Sequence, residues 1–169
     1  MSNDNLVIQA KNFGHSRGIL IDFGNPLGIG QEGIVWKTNR ETAVKVFDRI
    51  GNFDREVACY LKLKERDVYE IAGFTVPRLI DFDSEFHVVE MSIVAPPYLL
   101  DFGKSWMSRP NYTAEQWEEY EDEKSSLFDG NWELVQSALY ALKKYGIWYI
   151  DPNPNNINCE KHPLAVKAK

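Results

Sequence analysis

The run Ala43-Val44-Lys45-Val46-Phe47 is apolar enough to be a buried strand, yet it carries a lysine at its centre. Strand alternation puts Ala43, Lys45 and Phe47 on one face and Val44 and Val46 on the other. A half-buried ammonium group without a partner is expensive, so Lys45 needs an anion, and Glu56 on the following helix is the obvious one. An edge-strand lysine facing water is the plain alternative, with Glu56 an ordinary solvated helix residue beside Asp54, Arg55 and Lys62. Upstream, Leu27-Gly28-Ile29-Gly30-Gln31-Glu32-Gly33-Ile34-Val35 is a G-x-G-x-x-G run. A dinucleotide-binding fingerprint needs its last glycine to open a helix, whereas Ile34-Val35-Trp36-Lys37 reads as a strand. The glycines therefore sit in a hairpin, whose backbone N–H groups can lie over phosphates; a tight turn with glycine at positive φ is the plain reading. Near the other end, Asp151 and Asn156 share the proline-stiffened stretch Asp151-Pro152-Asn153-Pro154-Asn155-Asn156. A fixed loop of that kind can present a carboxylate to a hydroxyl and an amide oxygen to a metal, although polar turn residues beside proline need no function.

These residues must be positioned by regular elements. From about Leu20 to Val94 the chain reads mainly as strands, with Ile34 to Lys37, Thr42 to Phe47, Pro77 to Phe82 and Phe86 to Met91 rich in β-branched and aromatic residues. One helix interrupts them, Asn52 to Arg66, with Phe53, Val57, Tyr60, Leu61 and Lys64 at helical spacing and Asn52 as a candidate cap. Pro96-Pro97 breaks regular structure. Beyond it, Thr113 to Lys124 is an acidic surface segment, and Trp132, Val135, Leu139 and Leu142 form one face of a helix. Lys143 and Lys144 suit the negative end of its dipole, and Gly146 suits the left-handed residue after its last turn.

Composition removes several classes. The 169 residues suit one domain, and 44% hydrophobic residues supply a core. A net charge of -6 leaves no basic excess for nucleic-acid phosphates or an anionic membrane. The acidity is local, since Glu115 to Lys124 alone carries -5, and a solvated helix face explains it more simply than a dock for a basic partner. No run approaches the roughly 20 apolar residues of a membrane span, and Met1 to Gln9 lacks a secretory pattern, so a cytoplasmic chain is expected. Cys59 and Cys159 are expected as reduced thiols, and His15, His87 and His162 are too scattered for zinc. No repeat is evident.

The order of glycine hairpin, strand lysine, helix glutamate, the strand ending Val88-Val89-Glu90-Met91, a helix and then D-x-x-x-x-N resembles the protein kinase-like superfamily, in an atypical bacterial-type form, from about Leu27 to Ile157. The resemblance implies a two-lobed α+β fold: an N-lobe antiparallel sheet with one helix over about 18–94, a lobe connection over 95–103 and a minimal helical C-lobe over 104–169, all in a single domain 1–169. It implies that Gly28, Gly30 and Gly33 cover the ATP phosphates, that Lys45 holds the α- and β-phosphates, and that Glu56 orients Lys45. Glu90 and Ser92 would meet adenine through their backbone, Asp151 would be the catalytic base, and Asn156 would bind Mg²⁺, with Mn²⁺ an alternative. The implied activity is transfer of the γ-phosphoryl of Mg-ATP to a hydroxyl on a protein, sugar or small metabolite.

The chain also departs from the family. Tyr149-Ile150-Asp151 stands where His-Arg-Asp is usual, and Asn153-Pro154 where Lys-Pro is usual. The Asp-Phe-Gly whose aspartate holds the principal Mg²⁺ normally follows the Asn by about a dozen residues, but Glu160 is the only acid after Asn156. Two such triplets occur elsewhere, Asp22-Phe23-Gly24 before the glycine run and Asp101-Phe102-Gly103 just past the prolines. In the family's chain order both are decoys, a rearranged fold being the minor alternative. A non-catalytic, pseudokinase-like nucleotide-binding or interaction module is therefore the second reading of function, and an α+β protein without nucleotide the third.

Overall fold

A computed structural model describes residues 3–166; the first two and last three residues of the expected 1–169 domain lie outside the described residues. Helix α1 (Asn3–Arg17) is followed by β1 (Ile21–Gly30), β2 (Gly33–Thr38) and β3 (Thr42–Phe47), then α2 (Ile50–Lys64), two short strands β4 (Glu70–Ile71) and β5 (Phe74–Thr75), β6 (Leu79–Asp83) and β7 (Val88–Ser92). After these come β8 (Tyr98–Leu99), α3 (Ala114–Ser125), α4 (Trp132–Lys143) and β9 (Ile157–Asn158). The fold is α+β. A five-stranded antiparallel sheet runs β1-β2-β3-β7-β6, as expected of a kinase-like N-lobe, and a second sheet runs β4-β5-β8-β9.

β3 is the central strand, so the edge-lysine alternative fails: every one of its residues is buried. Its alternation decides which core each side chain joins. Ala43 and Phe47 join the core that reaches α2, α4 and the second sheet. Val44 and Val46 join a separate core under α1, with Leu6, Ala10, Phe13 and Trp36. Helix α1 was not foreseen. Among its described side chains only Leu6, Ala10 and Phe13 are fully buried, too few in a polar segment to make an apolar stripe legible.

α2 begins two residues earlier than the spacing suggests. Arg49 is its N-cap, and Asn52 lies inside the first turn, accepting from Arg55 rather than capping. Phe53, Val57 and Tyr60 are buried as expected, but Leu63 completes the stripe; Leu61 and Lys64 are exposed. α3 is closed by a Thr113–Gln116 capping box and buries no residue, in keeping with a solvated acidic face. α4 buries Val135, Ala138, Leu139 and Leu142, and Gly146 follows at φ +72°. Within the expected connection over 95–103, Tyr98 and Leu99 form β8 and pair with β9, Tyr98 opposite Asn158 and Leu99 opposite Ile157.

Among the described residues no helix is long and apolar enough to cross a membrane. Cys59 and Cys159 are free. His162 is structural: its ring packs against Phe74 at 4.8 Å and its Nε2 meets the Ala72 carbonyl at 2.9 Å.

Candidate active site

The β1–β2 hairpin closes with Gly30 opposite Gly33. Only Gly33 is demanded by the fold, because at φ +155° a Cβ there would fall 1.8 Å from the Val46 carbonyl oxygen. A Cβ on Gly28 or Gly30 would meet nothing within 4 Å, so at these two positions the hairpin leaves open space above a cleft of about 1020 Å³.

Lys45 points into that cleft. It is 7% exposed and donates from Nζ to Glu56 Oε2 at 2.7 Å and to Asp101 Oδ1 at 2.8 Å. The Glu56 partnership expected from spacing is therefore present; the Asp101 partnership was not foreseen. Burial opposes the ammonium charge, but Glu56 and Asp101 outweigh it and hold Lys45 above the ordinary lysine range. Burial likewise pushes Asp101 up, yet the charge and hydrogen bond of Lys45 prevail and keep it below the usual carboxylate range. Glu56, 1% exposed, is pushed by burial up to about 7 against the pull of Lys45.

Chain order sets both Asp-Phe-Gly triplets away from the Asp151–Asn156 loop; Asp22 lies exposed on β1 and outside the cleft lining, but Asp101 lines the cleft. β8 pairs with β9, the strand that directly follows Asn156, and the Leu100 N–H donates to the Asn156 carbonyl at 2.8 Å. Asp101 thus stands beside the Asp151–Asn156 loop although it precedes that loop in the chain. Three contacts seat the triplet. Phe102, fully buried, meets Tyr60 of α2 and Tyr149 edge-on at 5.2 and 5.7 Å. Arg55 donates to the Gly103 carbonyl at 2.8 Å, so the helix that carries Glu56 also holds the triplet.

Asp151 and Asn156 line the same cleft as Lys45 and Asp101. Asp151 accepts from Lys104 at 2.8 Å and faces Lys124 of α3 at 3.5 Å. Those two ammonium groups place positive charge beside the Asp151 carboxylate. Ser92 lines the cleft, with its N–H given to the Arg78 carbonyl at 3.0 Å. Glu90 does not. It lies mid-strand in β7, paired with Val44 of β3 and Asp81 of β6, and its side chain accepts from Thr42 at 2.6 Å. The cleft wall beyond Ser92 is instead Ile93 and Val94.

Among solved structures the chain is similar to one described as a streptomycin–ATP–APH(2'')-IIa ternary complex; it shares 12% identity, with a TM-score of 0.41 over 78% of this chain and 38% of the other. The present chain thus spans well under half the length of that protein. No family model matches, and no curated protein does.

The carboxylates of Glu32, Glu56 and Asp101 each place an oxygen within 4.8 Å of the others, the one such group of acids, histidines or cysteines among the described residues. Neither oxygen of Glu32, nor Oε1 of Glu56, accepts a hydrogen bond. Buried oxygens without donors, hard and anionic, suit Mg²⁺ or Mn²⁺.

Proposed function

We propose that this chain is a single kinase-like domain, its lobes joined through 95–103, that binds a nucleoside triphosphate, ATP, in this cleft and transfers the γ-phosphoryl to a hydroxyl acceptor. The observation that carries the reading is the convergence of Lys45, Glu56 and Asp101 within hydrogen-bond distance, under a glycine hairpin and beside the Asp151–Asn156 loop. The adenine would lie between Val35, Ala43 and Met91, with its polar edge along Ser92, Ile93 and Val94 rather than Glu90. Backbone of Gly28 and Gly30 would cover the phosphates and Lys45 would hold the α- and β-phosphates, kept in place by Glu56. Asp101 and Asn156 would hold a divalent cation, which when bound supplies charge neutralisation to the phosphates.

Asp151 would take the acceptor hydroxyl proton as the new oxygen–phosphorus bond forms and the β–γ bridge breaks, leaving ADP and the phosphorylated acceptor. Lys104 and Lys124 are placed to meet the transferred group's negative charge when they leave Asp151. The non-catalytic reading rests on a missing metal aspartate, and the place of Asp101 beside the Asp151–Asn156 loop supports the catalytic reading over it. A cytoplasmic setting, where ATP and Mg²⁺ are supplied, accords with this reading.

The test is a thermal-shift titration with ATP, with and without Mg²⁺, followed by transfer from γ-labelled ATP to water and to panels of sugars, small alcohols and peptides. Asp151→Asn should keep the ATP-induced shift and lose at least about 10²-fold in transfer. No shift at millimolar ATP refutes nucleotide binding, and an active Asp151→Asn protein removes Asp151 from the role of base.

A further inference from the structure

A glutamate at the tip of a hairpin should face water, and Glu32 does not. It is 5% exposed, and its Oε2 lies 3.6 Å from Lys45 Nζ. Three features hold it inward. Its carbonyl accepts from the Asp48 N–H at 2.9 Å, tying the tip to the end of β3. Gly33, at a φ only glycine accepts readily, turns the chain immediately after it. Gly103 makes the room: a Cβ there would sit 2.1 Å from Glu32 Oε2.

The resulting pocket is out of balance. Lys45 spends its two short hydrogen bonds on Glu56 Oε2 and Asp101 Oδ1, and Lys104, the next cation, is committed to Asp151 at 2.8 Å. Three carboxylates face one ammonium group, so with all three ionised two formal negative charges are uncompensated. Both oxygens of Glu32 and Oε1 of Glu56 are buried with no N–H or O–H reaching them. Uncompensated buried carboxylates are costly, and one divalent cation matches the deficit in charge and in ligand type.

We propose that Glu32, with Asp101 and Oε1 of Glu56, forms a divalent-cation site that loads without nucleotide. The hairpin thereby contributes a metal ligand as well as backbone over the phosphates. This deepens the kinase-like reading by giving the cleft a cation before the triphosphate arrives, but cation binding itself does not depend on that reading.

The experiment is titration of the EDTA-stripped full chain with MnCl₂ in the absence of nucleotide, read by electron paramagnetic resonance of free Mn²⁺ and by calorimetry. Wild type should bind one Mn²⁺ with sub-millimolar affinity, and Glu32→Gln should weaken it at least about tenfold, since one anionic ligand is lost. Glu115→Gln, on the acidic face of α3, should leave binding unchanged. Thermal unfolding checks that Glu32→Gln is folded; if it is not, Glu32→Asp, which keeps the charge and shortens the reach, must show the weakening. No Mn²⁺ bound at millimolar concentration, or equal binding by wild type and the Glu32 variants, overturns the proposal in favour of a proton shared between Glu32 and Asp101. Mn²⁺ binding without any ATP response would sink the kinase reading and leave the cation site standing. ATP binding that is metal-dependent yet untouched by Glu32→Gln would do the reverse.

Discussion

Replacing Lys45 with methionine keeps the bulk of the side chain and removes the cation in contact with Glu32, Glu56 and Asp101. Glu56 is 1% exposed and cannot turn to water, so the variant leaves an uncompensated buried carboxylate, at a cost of about 3–5 kcal/mol. The same change at Lys37, 42% exposed and paired with Glu41 at 2.7 Å, should cost no more than about 1 kcal/mol. Domains of this size have roughly 5–15 kcal/mol of stability in total, so the Lys45 variant should unfold at a much lower urea concentration while the Lys37 variant tracks the parent. The assay is urea denaturation followed by tryptophan fluorescence. Lys45→Met/Glu56→Gln separates ion pairing from lost packing: removing both partners should cost less than removing Lys45 alone, whereas independent effects would add. The ATP-induced thermal shift supplies a second readout, lost with Lys45→Met and kept with Lys37→Met. A Lys45→Met protein within about 1 kcal/mol of wild type, or a double variant whose losses simply sum, would refute the buried Lys45–Glu56 pair as a coupled unit.

Three further outcomes follow from the same geometry. Gly33→Ala should destabilise by at least about 1–3 kcal/mol from the backbone conformation alone, with the clash against Val46 in addition, while Gly28→Ala should melt like wild type and show a smaller ATP shift; equal melting of the two variants would refute the assignment of Gly33 to the fold. Asp101→Asn should abolish transfer from labelled ATP and Asp22→Asn should leave it intact, a reversal of which would return the first triplet to the site. Burial pushes the Cys59 thiol up to about 12, so iodoacetamide at mildly alkaline pH should modify the half-buried Cys159 and spare Cys59 until denaturant is added, as mass spectrometry of the tryptic peptides would show.

Much of this site is written in local pattern. The alternation of Thr42–Phe47, the turn that follows Gly30 and the left-handed Gly146 are each set by residues within a few positions of one another, and the structure keeps all three. The Lys45–Glu56 pair is nearly as local, since a strand and the helix after it can only present a few residues to each other, and a buried lysine must take the acid available. Helix limits were less legible: Arg49 caps α2 without a side-chain hydrogen bond, and so leaves no signature at the residue that begins it. α1 escaped because its burial against Val44 and Val46 depends on a sheet face that exists only once β2, β3 and β7 have paired. Asp101 and Glu32 lay furthest from view. A motif is read in chain order, but hydrogen-bonded strands have no memory of order: β8 reaches the strand after Asn156 from the N-terminal side as readily as from the C-terminal side, and carries Asp101 to Lys45. Glu32 looks like a solvated turn residue until the Gly103 backbone passes beneath it, and only that close approach, made by a segment far along the chain, turns an exposed carboxylate into a buried one.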